Sequence, residues 1–248
     1  VVIPEWKRVR LVISRGAGGD LSPLGQLKPD DLYSVALPAA MDAGKRANDR
    51  CMPYIGHLTG LKHLGLKWTD VSNVGLRHIE GLTELEYLEL PDKISNEALF
   101  TICKLHSLKG LYFGDNGVKN VALSKLTQLK NLQELELGGR LLDNGCLQYI
   151  AQIPSLEYLF LFGNFKAGKE WEELSKLPHL KILNLGRIPI DDATALEISK
   201  ISALENLSLY GTPVTDRGIS YLRNLKSFKQ LDLAGPENLT KQNISYLQ

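Results

Sequence analysis

From residue 61 onward the apolar positions follow a repeating rule. The segments LKHLGL (61–66), LEYLEL (85–90), LKGLYF (108–113), LQELEL (132–137), LEYLFL (156–161), LKILNL (180–185), LENLSL (204–209) and FKQLDL (228–233) share the pattern L-x-x-L-x-L. They start 24, 23, 24, 24, 24, 24 and 24 residues apart. The L-x-L half alternates with period two, which predicts a strand with one buried face. Further into each unit comes an apolar triplet spaced i, i+3, i+6. Examples are Leu76, Ile79 and Leu82; Leu147, Ile150 and Ile153; Trp171, Leu174 and Leu177; and Ile219, Leu222 and Leu225. That spacing predicts a short helix or 3₁₀ segment with one apolar stripe. Turn residues and N-cap candidates lie between the halves, as in TDVSNVG (69–75), PIDDATA (189–195) and TPVTDRG (212–218). A unit of this length cannot bury its apolar face alone, so the units must stack with their strands parallel.

Upstream the pattern loosens. LYSVAL (32–37) fits the strand rule with Val35 and Leu37 inward, and its unit carries an inserted stretch, AAMDAGKRANDR (39–50). Trp6, Val9 and Leu11, followed by Leu21, Leu24 and Leu27, read as an N-terminal capping turn over 1–31. The expected organisation is that turn followed by one continuous run of repeats over 32–248, about nine to ten turns in all. The last unit stops without a polar cap, which leaves apolar core for some other segment to cover.

These repeats resemble those of leucine-rich repeat proteins. VSNVGLRHIEGL (71–82) and VTDRGISYLRNL (214–225) are similar to the T-D-x-G-L type found in the cysteine-containing class and in bacterial members. The resemblance implies an α/β solenoid, a curved right-handed horseshoe with a parallel concave sheet and short helices or 3₁₀ turns outside. It also implies a non-catalytic scaffold that binds proteins. The ninth position, where the family carries Asn or Cys, reads Thr69, Lys93, Asn116, Arg140, Asn164, Ile188 and Thr212. A continuous Asn ladder is therefore not expected, and less regular loops are.

The strand rule sends the third, fifth and seventh positions of each unit out of the sheet. Those positions hold Tyr87, Glu89 and Pro91; Gly110, Tyr112 and Gly114; Glu134, Glu136 and Gly138; and Tyr158, Phe160 and Phe162. Asn184 and Tyr210 follow in later units. The segment 158–162 is apolar on both faces, so Tyr158, Phe160 and Phe162 are expected to be exposed. Exposed rings beside Glu134 and Glu136 have the composition of a binding hot spot. We take Tyr87, Glu89, Tyr112, Glu134, Glu136, Tyr158, Phe160, Phe162, Asn184 and Tyr210 as the partner-binding candidates. An Arg- or Lys-bearing partner would satisfy both rings and carboxylates. Curling of the strand, with neighbours covering the rings, is the alternative, and self-association through this strand is another.

Composition narrows the classes. Leucine accounts for 46 of 248 residues, and 29 basic against 28 acidic side chains leave a net charge of +1. Such a balance argues against a nucleic-acid arm or a polybasic membrane patch. The clusters Lys7-Arg8-Arg10 and Lys45-Arg46-Arg50 therefore read as solvated faces. No apolar run reaches the length of a membrane-spanning helix. The partner called for is another protein, with no nucleic acid and no membrane insertion.

Catalytic, metal and cofactor sets are not found. Gly16 to Gly19 fit neither phosphate-cradle spacing. His57, His63, His78, His106 and His179 form no ligand pair on one face. A Cys51–His63 pair would need a coincident loop, and Cys103 and Cys146 sit beside the helix stripe as core thiols. Glu134 and Glu136 lack the pocket that acid–base work needs and read as recognition charges. Asp30, Asp31, Asp191 and Asp192 read as turn or helix-start acids. Three widely spaced cysteines make no disulfide framework, which favours the cytoplasm, with an extracytoplasmic home after signal removal as the alternative. The sequons at Asn206, Asn238 and Asn243 matter only in a glycosylating host, and Asn206 falls in a predicted strand. The alternative function is a structural or regulatory repeat module of a larger receptor or enzyme.

Overall fold

The computed structural model describes residues 9–13, 20–37 and 46–233. Trp6, Lys7, Arg8, Gly16 to Gly19, Lys45, most of the stretch 39–50, and the sequons at Asn238 and Asn243 lie outside those residues. The chain divides into two compact units, Val1–Leu132 and Gln133–Gln248, described in turn.

In the first unit five strands pair in parallel and in chain order: β1 (Arg10–Val12), β2 (Ser34–Ala36), β3 (His63–Gly65), β4 (Tyr87–Glu89) and β5 (Gly110–Tyr112). Their register aligns Leu11, Val35, Leu64, Leu88 and Leu111. From Val35 onward this column is at most 1% exposed. Across the core lie the short helices α1 (Pro53–Gly56), α2 (Asn73–Leu76) and α3 (Ala98–Ile102), and a 3₁₀ run over Asn120–Gln128. The predicted triplet Leu76, Ile79 and Leu82 is fully buried. Each such side chain contributes roughly 1.5–3 kcal/mol by leaving water.

The second unit repeats the plan. Its strands are β6 (Glu134–Gly139), β7 (Tyr158–Gly163), β8 (Ile182–Asn184), β9 (Asn206–Ser208) and β10 (Gln230–Asp232), parallel and in chain order. Leu135, Leu159, Leu183 and Leu207 form the buried column. Opposite them are α4 (Leu147–Ile150), a 3₁₀ run over Lys169–Lys176, α5 (Asp192–Ile198) and α6 (Asp216–Tyr221). Trp171 is wholly buried, and its ring nitrogen donates to the Lys166 carbonyl at 2.8 Å. The expected helix starts are present. Ser72, Asp191 and Thr215 each accept a backbone N–H of the helix they open.

The ladder at the ninth position is replaced by two other devices. Thr69 and Thr212 close their own turns by donating to the Leu66 and Leu209 carbonyls, and Asn116 does so through Gly114 and Val118. Adjacent repeats are instead clasped at the helix start. Asp49 accepts both the backbone N–H and the hydroxyl of Ser72, at 2.7 and 2.6 Å. Asn73 holds Ser95 by two bonds, Asn144 holds Lys166 by two, and Asp192 accepts the N–H and hydroxyl of Thr215 at 2.8 and 2.7 Å. The first helical residue of one repeat thus holds the segment that leads into the next helix, which ties neighbouring loops together without the ladder.

The clasp yields a test. Replacing Asp192 by Ala strands the Thr215 N–H and hydroxyl and should cost about 1.5–3 kcal/mol. Asp192→Asn should retain most of it. Chemical-denaturation midpoints at constant slope will check both.

Candidate functional site

Side chains facing away from the helices carry none of the core and form an open strand face in each unit. In the second unit the register sets them in rows. Glu134, Tyr158, Ile182, Asn206 and Gln230 make one; Glu136, Phe160, Asn184, Ser208 and Asp232 make the next; Gly138 stands beside Phe162. Tyr158, Phe160 and Phe162, expected to be exposed, are half-buried. The reason is local. Phe160 and Phe162 tilt against each other at 5.6 Å. Phe162 also leans over Gly138, where an added Cβ would fall 2.2 Å from its ring. Gly138, predicted to face outward, is buried for the same reason. Glu134 and Glu136 are also half-buried, while Tyr210 is 41% exposed and Ile182 37%.

These neighbours perturb one another. Burial holds the Tyr158 hydroxyl above its ordinary range, and the charges of Glu136 and Glu134 push the same way. The face therefore presents a neutral phenol beside two carboxylates, a surface of aromatic and acceptor groups with no enclosed volume for chemistry.

In the first unit the outward residues form a different surface. His63 stacks on Tyr87 at 4.6 Å with 15° between planes, and its Nε2 lies 3.1 Å from the Tyr33 hydroxyl. Stacked rings expose their edges and polar tips rather than their faces. Glu89 is exposed beside them, and Tyr112 is half-buried. Gly110 is buried because Tyr87 and Tyr112 close over it. Gly114 and Pro91, also expected to face outward, are buried. They lie past the ends of their strands, where alternation stops. The candidates Tyr87, Glu89 and Tyr112 thus share a face in the first unit, and Glu134, Glu136, Tyr158, Phe160, Phe162, Asn184 and Tyr210 share one in the second. The strand rule also sends His63 outward, but its contacts with Tyr33 and Tyr87 were not read from the sequence.

A charged edge was also missed. The second position of successive repeats reads Lys62, Glu86 and Lys109 in the first unit and Glu157, Lys181, Glu205 and Lys229 in the second. Register brings these alternating charges together. Glu86 pairs with Lys109 at 2.8 Å and Glu157 with Lys181 at 2.6 Å, and Glu205 pairs with Lys229. The Lys109 hydrogen bond lowers the Glu86 pKa, and Glu157 raises that of Lys181. The signal lay in the sequence as a column of alternating sign.

Cys51, Cys103 and Cys146 are buried and free. Burial pushes the Cys103 thiol up to about 11 and Cys146 further up in the same direction. His57 lies against the Leu27 carbonyl at 3.1 Å. Among the described residues no group of His, Cys, Asp and Glu is arranged to hold a metal, and no helix is long and apolar enough to cross a membrane.

The turn after each strand holds one more feature. The eighth repeat position has positive φ at Trp68 (62°), Gly139 (137°), Gly163 (104°), Arg187 (67°) and Gly211 (66°). Three of these are glycine, the residue that adopts such backbone at least cost. Trp68 and Arg187 are not.

No protein-family model and no curated protein matches the sequence. Solved structures do. An internalin from Listeria monocytogenes superimposes with a TM-score of 0.58 at 22% identity, covering 87% of this chain and 64% of its own. A leucine-rich repeat protein of Leptospira interrogans gives 0.63 at 24% identity, covering 95% of this chain and 57% of its own. The chain thus spans about two thirds or less of each. Its fold is that of the leucine-rich repeat proteins.

Tyr158 offers a direct check on the second face. Its phenol should ionise at higher pH than a free tyrosine, and Glu136→Gln should move it back towards the ordinary value. The proton is held more tightly in the folded chain, so Tyr158 stabilises the fold below the free-tyrosine pKa and that share is lost as pH rises above it. Absorbance titration near 295 nm against Tyr158→Phe will resolve the group.

Proposed function

We propose that the protein is a non-catalytic scaffold that binds another protein on its open strand face, centred on Tyr158 and Phe160. One observation carries this reading. The outward rows of the second unit gather three half-buried rings and two carboxylates on a framework whose leucines already satisfy the core. Nothing in the packing calls for aromatic residues there, and tyrosine and phenylalanine beside charges are what interface centres use. Glu134 and Glu136 would take basic groups of the partner, with Asn184 and Tyr210 at the margin. Tyr87, Glu89 and Tyr112 supply a comparable set in the first unit.

An enzymatic reading has less support. The carboxylates stand on an open surface, the thiols are buried, and His63 and His57 are held by ring and carbonyl contacts. The low share of each similar structure that the chain covers keeps in view the alternative of a repeat module within a larger receptor or enzyme.

The test compares the wild-type chain with Tyr158→Ala, Phe160→Ala as baits in cell lysate, with bound proteins identified by mass spectrometry. Both side chains are half-buried on the strand face, so the double variant should keep its melting midpoint within several degrees of the wild type. A protein retained by the wild type and lost from the variant, at roughly a hundred-fold lower affinity once purified, is the expected result. Retention by both at equal affinity would move the site elsewhere.

A further inference from the structure

We propose that the binding face of the second unit includes a recognition hollow for a carboxylate on a protein segment, with Arg187 as its contact. This rests on the reading that the face binds protein, and adds the chemistry of one part of the partner.

The hollow is lined by Phe160, Phe162, Asn184, Gly186, Arg187 and Tyr210, and by Ser208 and Asp232 as well. Gly186 lies on this lining, where an added Cβ would touch Asn184 and Tyr210 at ordinary contact distance, 3.4–3.6 Å. Phe160 and Phe162 give one wall and Tyr210 another. Arg187 is the one cation among these residues. Its backbone N–H donates to the Tyr210 carbonyl at 2.7 Å, and its guanidinium lies over the Tyr210 ring at 5.8 Å. The guanidinium has no carboxylate or carbonyl acceptor among the described residues. Contact with a ring face uses none of an arginine's N–H donors, and a guanidinium with free donors can grip a carboxylate by two parallel bonds.

The backbone supplies a second, independent observation. Arg187 stands at φ 67°, in a turn position that Gly139, Gly163 and Gly211 occupy in the same unit. Left-handed backbone is costly for a residue with a Cβ and cheap for glycine. Stacking on Tyr210 offsets only part of that cost, so the fold alone would favour glycine. Strain of this kind collects where a side chain is held for a task.

Charge fixes the occupant. Asp232 stands two strands beyond β8 and already accepts the Ser208 hydroxyl at 3.0 Å. It repels a second carboxylate, so the incoming acid must lie at the Arg187 end. The neighbouring residue of the segment must then be apolar, to cover Phe160 and Phe162. The occupant is an Asp or Glu next to an aromatic or aliphatic side chain.

The experiment selects a phage-displayed library of random dodecapeptides on the wild-type protein. Enriched peptides are then measured on Arg187→Gly, Arg187→Gln and Tyr158→Ala. Arg187→Gly places the residue this turn prefers, so its melting midpoint should match or exceed the wild type and loss of binding cannot mean unfolding. The expected output is enriched in acid–apolar pairs that bind both Arg187 variants about ten- to a hundred-fold more weakly. Absence of carboxylate enrichment, or equal binding to all variants, overturns the proposal. Peptides lost on Tyr158→Ala but kept by both Arg187 variants overturn it while sparing the protein-binding reading. Recovery of no peptide that depends on any of these positions removes both.

Discussion

A repeat of about 24 residues with one apolar edge has nothing to pack on except its neighbour, and that dependence organises the rest of the structure. Val35, Leu64, Leu88 and Leu111 are dry because each lies beside the next. The backbone follows the same rule. The Glu157 carbonyl accepts the N–H groups of both Lys181 and Ile182, and the Lys181 carbonyl those of Glu205 and Asn206. Polar side chains complete it, with Asp192 gripping Thr215 and Asp49 gripping Ser72. Every described element is held by the turn before or after it, so stability is close to a sum of neighbour terms.

Since the core uses only alternate strand positions, the others are free to vary, and this decided what could be read from the chain. The inward leucines repeat because each must meet the same environment, so period and register were legible. The helix-start acids and hydroxyls at Asp191, Thr215 and Ser72 were legible for the same reason. Outward side chains have no such constraint, and their exposure depends on what stands on the adjacent strand. Phe162 is half-buried because Gly138 offers no side chain, a fact of pairing rather than of either residue. His63 joined Tyr33 and Tyr87 only once β2, β3 and β4 were in register.

The second-position charges show the limit from the other side. Their alternation in sign was visible in the letters, yet meaningless until register set Glu157 beside Lys181 and Glu205 beside Lys229. These pairs are exposed, and each contributes little to stability. Their more useful effect is local neutrality along the strand starts. The strand face is then left to its own charges, Glu134 and Glu136 at one end of the second unit, Asp232 at the other, and Arg187 at the turn past β8. A partner approaching that face would meet a carboxylate pair at one end, Asp232 at the other, and Arg187 and the rings between them.

Arg187 brings the two halves of this reasoning together. Its place in the repeat has left-handed geometry, met by glycine at 139, 163 and 211 in the same unit and by Trp68 in the first. Its side chain belongs to the open face, where no core demand dictates identity. When the position most restricted by the backbone carries a residue the backbone disfavours, packing is a poor reason for it. The Tyr210 ring steadies the guanidinium without consuming its donors. What the arrangement leaves is an exposed cation beside an open hollow walled by rings, and a carboxylate next to an apolar side chain is the chemistry we propose to satisfy both at once.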